Sequence, residues 1–228
     1  MVIGDGLIAN SLMSVFKDDD KFVVFAAGVS DSTETNSKNF KKEKAILNDI
    51  LIKNKDKILI YFSTVSLFDL ENISDYILHK TDIEDNLTNS GNKFIIFRLP
   101  QVIGRGGNKK NIINTIVDRV KNNEILTIWD NAYRNIIDVD DVARIVKYFS
   151  KNSNSENKVF NIFGPENKKI IDIVLIVEKI LNKEAKKEII ERESFFFKKN
   201  NKDVNDAFSF LGINKLDYTE KIIKKYIK

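Results

Sequence analysis

Short apolar runs alternate with longer stretches of mixed polarity along most of the chain. Five runs rich in Ile, Val and Phe cover residues 1–3, 22–27, 58–62, 94–99 and 159–163. Apolar side chains recur at helical spacing in residues 7–16, 38–53, 76–89 and 111–122. Strands with little polar alternation, separated by helices, are typical of a parallel sheet covered on both faces. The pattern predicts a doubly wound α/β fold with a parallel sheet.

The pattern becomes irregular after about residue 108. Residues 172–181 and 215–227 have the spacing of helices in a smaller C-terminal lobe. We expect residues 1–108 to form the core, and residues 109–228 to complete that core and to form the smaller lobe. Trp129 and the Phe-rich residues 195–197 are expected to serve packing in this part of the chain.

The composition excludes several kinds of chemistry. Among 228 residues there is no Cys and one His, so disulfides, thiol nucleophiles and two-histidine metal sites are excluded. The single His79 is expected to face solvent. The 37 basic and 33 acidic residues are well mixed, which argues against a nucleic-acid partner. Because no apolar run approaches the roughly 20 residues that span a bilayer, we expect no membrane partner and a cytoplasmic location.

The first strand runs directly into Gly4-Asp5-Gly6-Leu7-Ile8-Ala9, a G-x-G-x-x-A turn that opens a helix. Glycines at such a turn allow a tight backbone and close approach to a pyrophosphate, and the helix start offers free N–H groups. Gly4, Gly6, Leu7 and Ile8 are therefore candidate cofactor-binding residues in a Rossmann-like core. The alternative is a tight strand–helix turn without a ligand.

The adenosine half of such a site is shortened in this chain. A dinucleotide site usually has an acidic residue about 20 positions after the glycines, at the end of a second strand. Here Asp18, Asp19 and Asp20 lie near that distance but on a turn, and the next apolar run begins at Phe22. A strand–helix–strand unit is missing at this point.

From Ala26 onwards the chain resembles the extended branch of the short-chain dehydrogenase/reductase superfamily. This branch includes NAD-dependent epimerases and dehydratases and the dTDP-dehydrorhamnose reductases. The motifs that carry the resemblance occur in family order, and they are Ala26-Ala27-Gly28, Ser63-Thr64-Val65-Ser66-Leu67-Phe68, Tyr76-Ile77-Leu78-His79-Lys80, Arg98-Leu99-Pro100-Gln101-Val102-Ile103-Gly104 and the block 134–143.

The resemblance implies specific roles for these positions. It implies Thr64, Tyr76 and Lys80 as the catalytic set, with Lys80 also holding the nicotinamide ribose of NAD or NADP. The cofactor-binding residues that it adds are Ala26, Ala27, Gly28, Pro100 and Val102. The substrate-binding residues that it implies are Gln101, Arg105 and Arg134. Surface ion pairs are the alternative for the two arginines.

Two family positions carry unusual residues. Gln101 stands where the family usually has Asn, and Asp138 stands where His is common. Thr64 and Tyr76 are also closer in sequence than in most extended members. The chain is therefore a shortened version of the family pattern.

The spacing of Tyr76 and Lys80 is itself consistent with proton transfer. The two residues are one helical turn apart, so both project from one face. A lysine ammonium beside a tyrosine is expected to lower the tyrosine pKa from about 10. The alternative is an ordinary exposed helix pair, because Tyr-x-x-x-Lys occurs freely.

These observations favour an NAD(P)-dependent reductase of a keto group on a nucleotide-activated sugar, with hydride from the cofactor and the proton from Tyr76. The alternatives are a nucleotide-sugar epimerase or dehydratase, and a non-catalytic nucleotide-sugar binding protein derived from this fold. The C-terminal lobe is then a substrate lobe. By analogy with relatives, helices over residues 38–53 and 76–89 are expected to form a homodimer.

Overall fold

The computed structural model describes residues 1–107, 111–193 and 200–227. Ten strands occur there: β1 (Val2–Ile3), β2 (Phe22–Phe25), β3 (Ile58–Thr64), β4 (Lys93–Leu99), β5 (Gln101–Ile103), β6 (Ile125–Asn131), β7 (Tyr133–Asp138), β8 (Lys158–Asn161), β9 (Asn167–Lys169) and β10 (Lys186–Glu193). The helices are α1 (Leu7–Met13), α2 (Ser37–Lys53), α3 (Asp75–Thr88), α4 (Ile112–Lys121), α5 (Val139–Ser150), α6 (Ile170–Leu181), α7 (Lys202–Leu211) and α8 (Tyr218–Tyr226).

The predicted parallel sheet is present, and all five predicted strands belong to it. Its order is β1-β2-β3-β4-β8, and every neighbouring pair is parallel. Both β2 and β3 are buried along their whole length, which explains why they lack polar alternation. Helices cover both faces. The Rossmann-like α/β prediction is confirmed.

The two faces of the sheet carry separate apolar cores. One core joins α2 and α3 to the sheet through side chains such as Leu47 and Leu87. The larger core joins α1, α4, α5 and the C-terminal helices to the opposite face, through side chains such as Leu12, Val146 and Ile223. The first helices of the chain therefore lie on opposite faces.

The sheet ends at β1 among the described strands. In the sheet order, β1 pairs with β2 on one side and lies at the edge. Residues 14–21 lead from α1 straight into β2, where the sequence predicted a missing strand–helix–strand unit. The sheet accordingly extends from β1 in one direction only.

The second half of the chain contains elements that the sequence did not predict. A three-stranded sheet has the order β5-β7-β9, and β6 pairs with β10 in a two-stranded sheet. The helix α5 was also missed, although it is well formed and has a strongly apolar buried side. The expected division near residue 108 stays a prediction, and residues 195–197 lie outside the described parts of the chain.

No helix in the described parts of the chain is long and apolar enough to cross a membrane.

Candidate active site

The glycine turn after β1 lies directly against the end of β2. Gly4 has a φ of 128°, which favours glycine, and a Cβ there would lie 2.5 Å from the carbonyl oxygen of Ala26. Gly6 directly precedes α1, and Gly6, Leu7 and Ile8 line a large cavity. Gly4 is thus required for packing behind the cavity wall, while the next residues form that wall.

The cavity has a volume of about 1640 Å³. Pockets for one drug-sized ligand are usually roughly 300–1,000 Å³, so this cavity has room for two ligands. Most predicted site residues line it: Gly6, Leu7, Ile8, Ala26, Ala27, Gly28, Thr64, Tyr76, Lys80, Pro100, Gln101, Val102 and Arg134. Arg105 is exposed and is not among the lining residues.

Thr64 and Tyr76 meet at the wall of this cavity. Thr64 is the last residue of β3, and its hydroxyl accepts a hydrogen bond from the backbone N–H of Ser66 at 3.1 Å. Tyr76 lies in the first turn of α3, which begins after Ser74, whose hydroxyl accepts from the N–H of Ile77. The Thr64 side chain is also close enough to Tyr76 to lower the pKa of its hydroxyl. The strand end and the helix start therefore bring the two hydroxyl groups together.

The pKa of Tyr76 differs from the sequence expectation. Burial raises it to about 12, against a lowering effect of the Thr64 side chain, and Glu43 raises it further. The Lys80 Nζ lies 5.8 Å from the centroid of the Tyr76 ring. The expectation that Lys80 lowers this pKa is wrong for this structure, because burial has the largest effect on it and the Lys80 ammonium is paired with a carboxylate.

That carboxylate belongs to Glu43, which the sequence analysis missed. Lys80 Nζ donates to Glu43 Oε1 at 2.9 Å and to the Tyr61 hydroxyl at 2.8 Å. The His79 ring also contacts Glu43, with Nε2 lying 2.9 Å from Oε2. His79 is buried and stacks on Phe40, so the prediction that it faces solvent is wrong.

Ser63 is a second missed residue of the cavity wall. Its hydroxyl is buried and has no hydrogen-bond partner among the described residues. Since buried polar groups are normally satisfied, this hydroxyl is an exception among the residues of the cavity wall. The sequence signal that could have identified Ser63 is its position directly before Thr64 at the end of β3.

The cavity wall also contains arginine and aromatic side chains. Arg134, Trp129 and Arg192 belong to it. The Arg192 guanidinium lies 4.0 Å from the centroid of the Trp129 ring, a stacking arrangement. Burial lowers the pKa of Arg134. Trp129 contacts the apolar core as expected, but it also faces the cavity.

The acidic residues that the sequence places near the expected adenosine position do not line the cavity. Asp18, Asp19 and Asp20 are not among its lining residues. Asp19 instead accepts from the N–H of Lys21 at 3.0 Å within its own turn. This result follows from the sheet order, because β1 is an edge strand among those described.

The profile of the NAD dependent epimerase/dehydratase family matches residues 2–162. The chain belongs to this family. The match covers the glycine turn, the Thr64–Tyr76–Lys80 set and the central sheet. It confirms the resemblance that the sequence motifs indicated.

Solved structures share the fold of this family member along nearly its whole length. UDP-glucuronic acid 4-epimerase from Bacillus cereus, in complex with NAD, has a TM-score of 0.71 at 18% identity, covering 98% of this chain and 84% of that one. RMD from Pseudomonas aeruginosa, complexed with NADPH, has a TM-score of 0.69 at 15% identity, covering 96% and 84%. dTDP-glucose 4,6-dehydratase from Bacillus anthracis, in complex with NAD, has a TM-score of 0.70 at 15% identity, covering 97% of this chain and 76% of that one. No curated protein matches the chain in sequence.

The residues present fit the nicotinamide half of the dinucleotide that the family name implies. The glycine turn, the unpartnered Ser63 hydroxyl and the Lys80 ammonium all border one cavity. The fit is poorer for adenosine, because the usual second strand and its carboxylate have no counterpart among the described residues.

Proposed function

We propose that this chain epimerises a nucleotide-activated sugar with NAD or NADP as cofactor. One observation carries the proposal: Thr64 and Tyr76, which interact with each other, share a cavity wall with Lys80 and the glycine turn. Membership of an epimerase/dehydratase family supports this activity more than the keto reduction that the sequence favoured.

A bound NAD or NADP, held by Lys80 and the glycine turn, would supply the hydride acceptor and donor for the oxidation and re-reduction of one sugar carbon. In the first half Tyr76 acts as its tyrosinate, whose Oη takes the proton of the sugar hydroxyl and returns it in the second half. Because burial raises the pKa of Tyr76 to about 12, this step needs the positive charge of an oxidised nicotinamide, which would favour the ionised form. Thr64 donates a hydrogen bond to the same sugar oxygen and holds it beside Tyr76. Lys80 holds the nicotinamide ribose. The sugar is oxidised and then reduced, so no net redox change occurs.

Arg134 and Arg192 are proposed to bind the diphosphate of the substrate. Guanidinium groups match phosphate oxygens in a bidentate geometry, and both side chains border the cavity. Gln101 also lines the cavity and is proposed to contact the sugar. Arg105 is proposed as a substrate contact that needs a movement of its loop, since its side chain is exposed.

A keto-sugar reductase is the second candidate. The raised pKa of Tyr76 keeps its hydroxyl protonated at neutral pH, and this is the form that donates a proton to a carbonyl. A dehydratase is less well supported, because Val65 and Ser66 provide no acidic group next to Thr64.

The test is to incubate the protein with UDP- and dTDP-sugars and a catalytic amount of NAD or NADP, and to follow sugar and cofactor separately. An epimerase interconverts sugars without consuming reduced cofactor. A reductase consumes one reduced cofactor for each sugar. In Tyr76→Phe, turnover should fall by about 100-fold or more, while the dissociation constant for NADH changes by less than about threefold.

Two results would overturn this proposal. Failure to bind either NADH or NADPH at about 1 mM would point to a non-catalytic binding protein. Unchanged turnover in Tyr76→Phe would remove Tyr76 as the proton carrier.

We also infer a cytoplasmic homodimer that forms through α2 and α3. Exposed Ile52 and Leu78 lie on these helices and provide apolar contact area, with 71% and 59% of their surface accessible. Sedimentation analysis should give twice the chain mass. A monomeric mass would refute the dimer.

A further inference from the structure

Glu43 is a buried acidic side chain that the proposed reaction does not use. It lies on the buried face of α2 with Leu47 and Ile50, and its side chain is 1% exposed. Burying a carboxylate is costly unless it is paired and hydrogen-bonded. The partners of Glu43 therefore indicate what it does.

Both carboxylate oxygens of Glu43 are fully engaged. Oε1 accepts from Lys80 Nζ at 2.9 Å and from the Tyr61 hydroxyl at 2.7 Å. Oε2 accepts from the backbone N–H of Val29 at 2.7 Å and lies 2.9 Å from His79 Nε2. These contacts come from α3, β3 and the segment after β2, so the carboxylate is held from three sides.

The Glu43–Lys80 pair lies beneath the Gly28 backbone, beside two cavities. A Cβ on Gly28 would come within 3.0 Å of Lys80 Nζ and would overlap Glu43 Oε1. Lys80 borders the large cavity, whereas Glu43 borders an adjoining smaller one of about 320 Å³ and does not line the large one. Glu43 thus contacts the ammonium without itself forming part of the wall of the proposed cofactor site.

We propose that Glu43 is a positioning residue that keeps Lys80 protonated and fixes its ammonium at the wall of the large cavity. The inference rests on the proposed function for the role of Lys80, which is to hold the nicotinamide ribose. It extends that function, because the catalytic motifs assign no role to Glu43.

The charges around Lys80 support this assignment. Glu43 faces it from α2, Tyr61 from β3, and Tyr76 and Glu84 from α3. Burial lowers the pKa of Lys80, and the two carboxylates oppose that effect. Among the contacts of the described residues, the Glu43 carboxylate hydrogen-bonds the Lys80 ammonium and the Glu84 carboxylate does not. Without the Glu43 carboxylate, the buried ammonium loses its main counter-charge.

Glu43→Gln tests the proposal, because it keeps the side-chain shape and removes the charge. We expect the pKa of Lys80 to fall by about two units or more. NMR of the protein with isotope-labelled lysine measures this titration without cofactor, and Lys80→Met assigns the signal. In Glu43→Gln, the dissociation constant for NADH should rise by about tenfold between about pH 7 and about pH 9. In the parent protein it should rise by less than about twofold over the same range.

Glu84→Gln is the matched control. Glu84 is also a buried glutamate, but its partner is Arg98, whose Nη2 donates to it at 2.6 Å. This variant should lower the pKa of Lys80 by less than about half a unit. Equal shifts in the two variants would mean that Glu43 has no special role.

The remaining outcomes also decide the matter. An unshifted Lys80 titration in folded Glu43→Gln overturns the proposal. If that variant does not fold, the Lys80 titration of the parent protein is the test. A Lys80 that is neutral at about pH 7 overturns the proposal, and a protonated Lys80 supports it. A shifted Lys80 in a protein that binds neither NADH nor NADPH supports the Glu43–Lys80 coupling and overturns the proposed function.

Discussion

Polar side chains on the buried faces of helices define this site at the residue scale. On α3, Lys80 and Glu84 share the buried stripe with Ile83 and Leu87. On α2, Glu43 occupies a position that helical spacing assigns to the core. Such positions are visible in the sequence, because an apolar stripe is interrupted by a charge. The sequence does not show which charged groups pair with one another, since Glu43 and Lys80 are 37 positions apart.

Gly28→Ala should destabilise the protein by about 1–3 kcal/mol. The added methyl group would overlap Glu43 Oε1 and press on Lys80, and both side chains are buried and held by their ion pair. Urea unfolding followed by circular dichroism measures the change in the free energy of unfolding.

Gly6→Ala is the matched control for this substitution. Gly6 belongs to the same cavity wall, but a Cβ there meets no atom within 4 Å. The expected loss is about 0.5 kcal/mol or less. A loss as large as that of Gly28→Ala would contradict the packing explanation.

At the scale of elements, Asp138 links β7 and α5 to the helix α8. It ends β7 and caps α5, with Oδ1 accepting from the N–H of Asp140 at 3.0 Å. The same carboxylate accepts from the Tyr226 hydroxyl and from Lys225 Nζ, both at 2.7 Å, and these residues belong to α8. This network accounts for an acid at a position where the family often has His.

Asp138→Asn should lower the free energy of unfolding by about 1–3 kcal/mol, because the buried hub loses its charge and part of its hydrogen bonding. Asp140→Asn removes a carboxylate that also binds Lys225, but this side chain is 64% exposed. Its expected cost is less than about 1 kcal/mol. Chemical denaturation of both variants checks the difference, and equal costs would argue against a buried hub.

At the scale of the whole molecule, the shortened sheet leaves an unusual chain path. The steps β1 to β2, β2 to β3 and β3 to β4 run in the same direction across the sheet. However, α1 packs on one face, while α2 and α3 pack on the other. The β1–α1–β2 connection therefore has the opposite hand to the next two. Since such connections are nearly always right-handed, the exception marks the point at which a strand–helix–strand unit is missing.

The same shortening predicts weak recognition of adenosine. Reduced nicotinamide mononucleotide should bind no more than about tenfold more weakly than NADH, and NADPH should bind within about tenfold of NADH. The reason is that the described sheet has no strand beyond β1 to carry a ribose-binding acid. Fluorescence titration of the three compounds measures these ratios. A preference for NADH of more than about a hundredfold over the mononucleotide would contradict the prediction.

The sequence by itself determined the sheet, its first helices and the glycine turn, and most of the site residues that it predicted line the cavity. It did so because strand burial, helical spacing and the Gly4 turn are local properties that each segment carries in its own residues. The tertiary structure alone decided that β1 lies at the edge, that Trp129 and Arg192 meet at the cavity, and that Glu43 neutralises Lys80. These depend on which distant segments pack together, and the same packing excludes water and so fixes the ionisation of Tyr76 and Lys80.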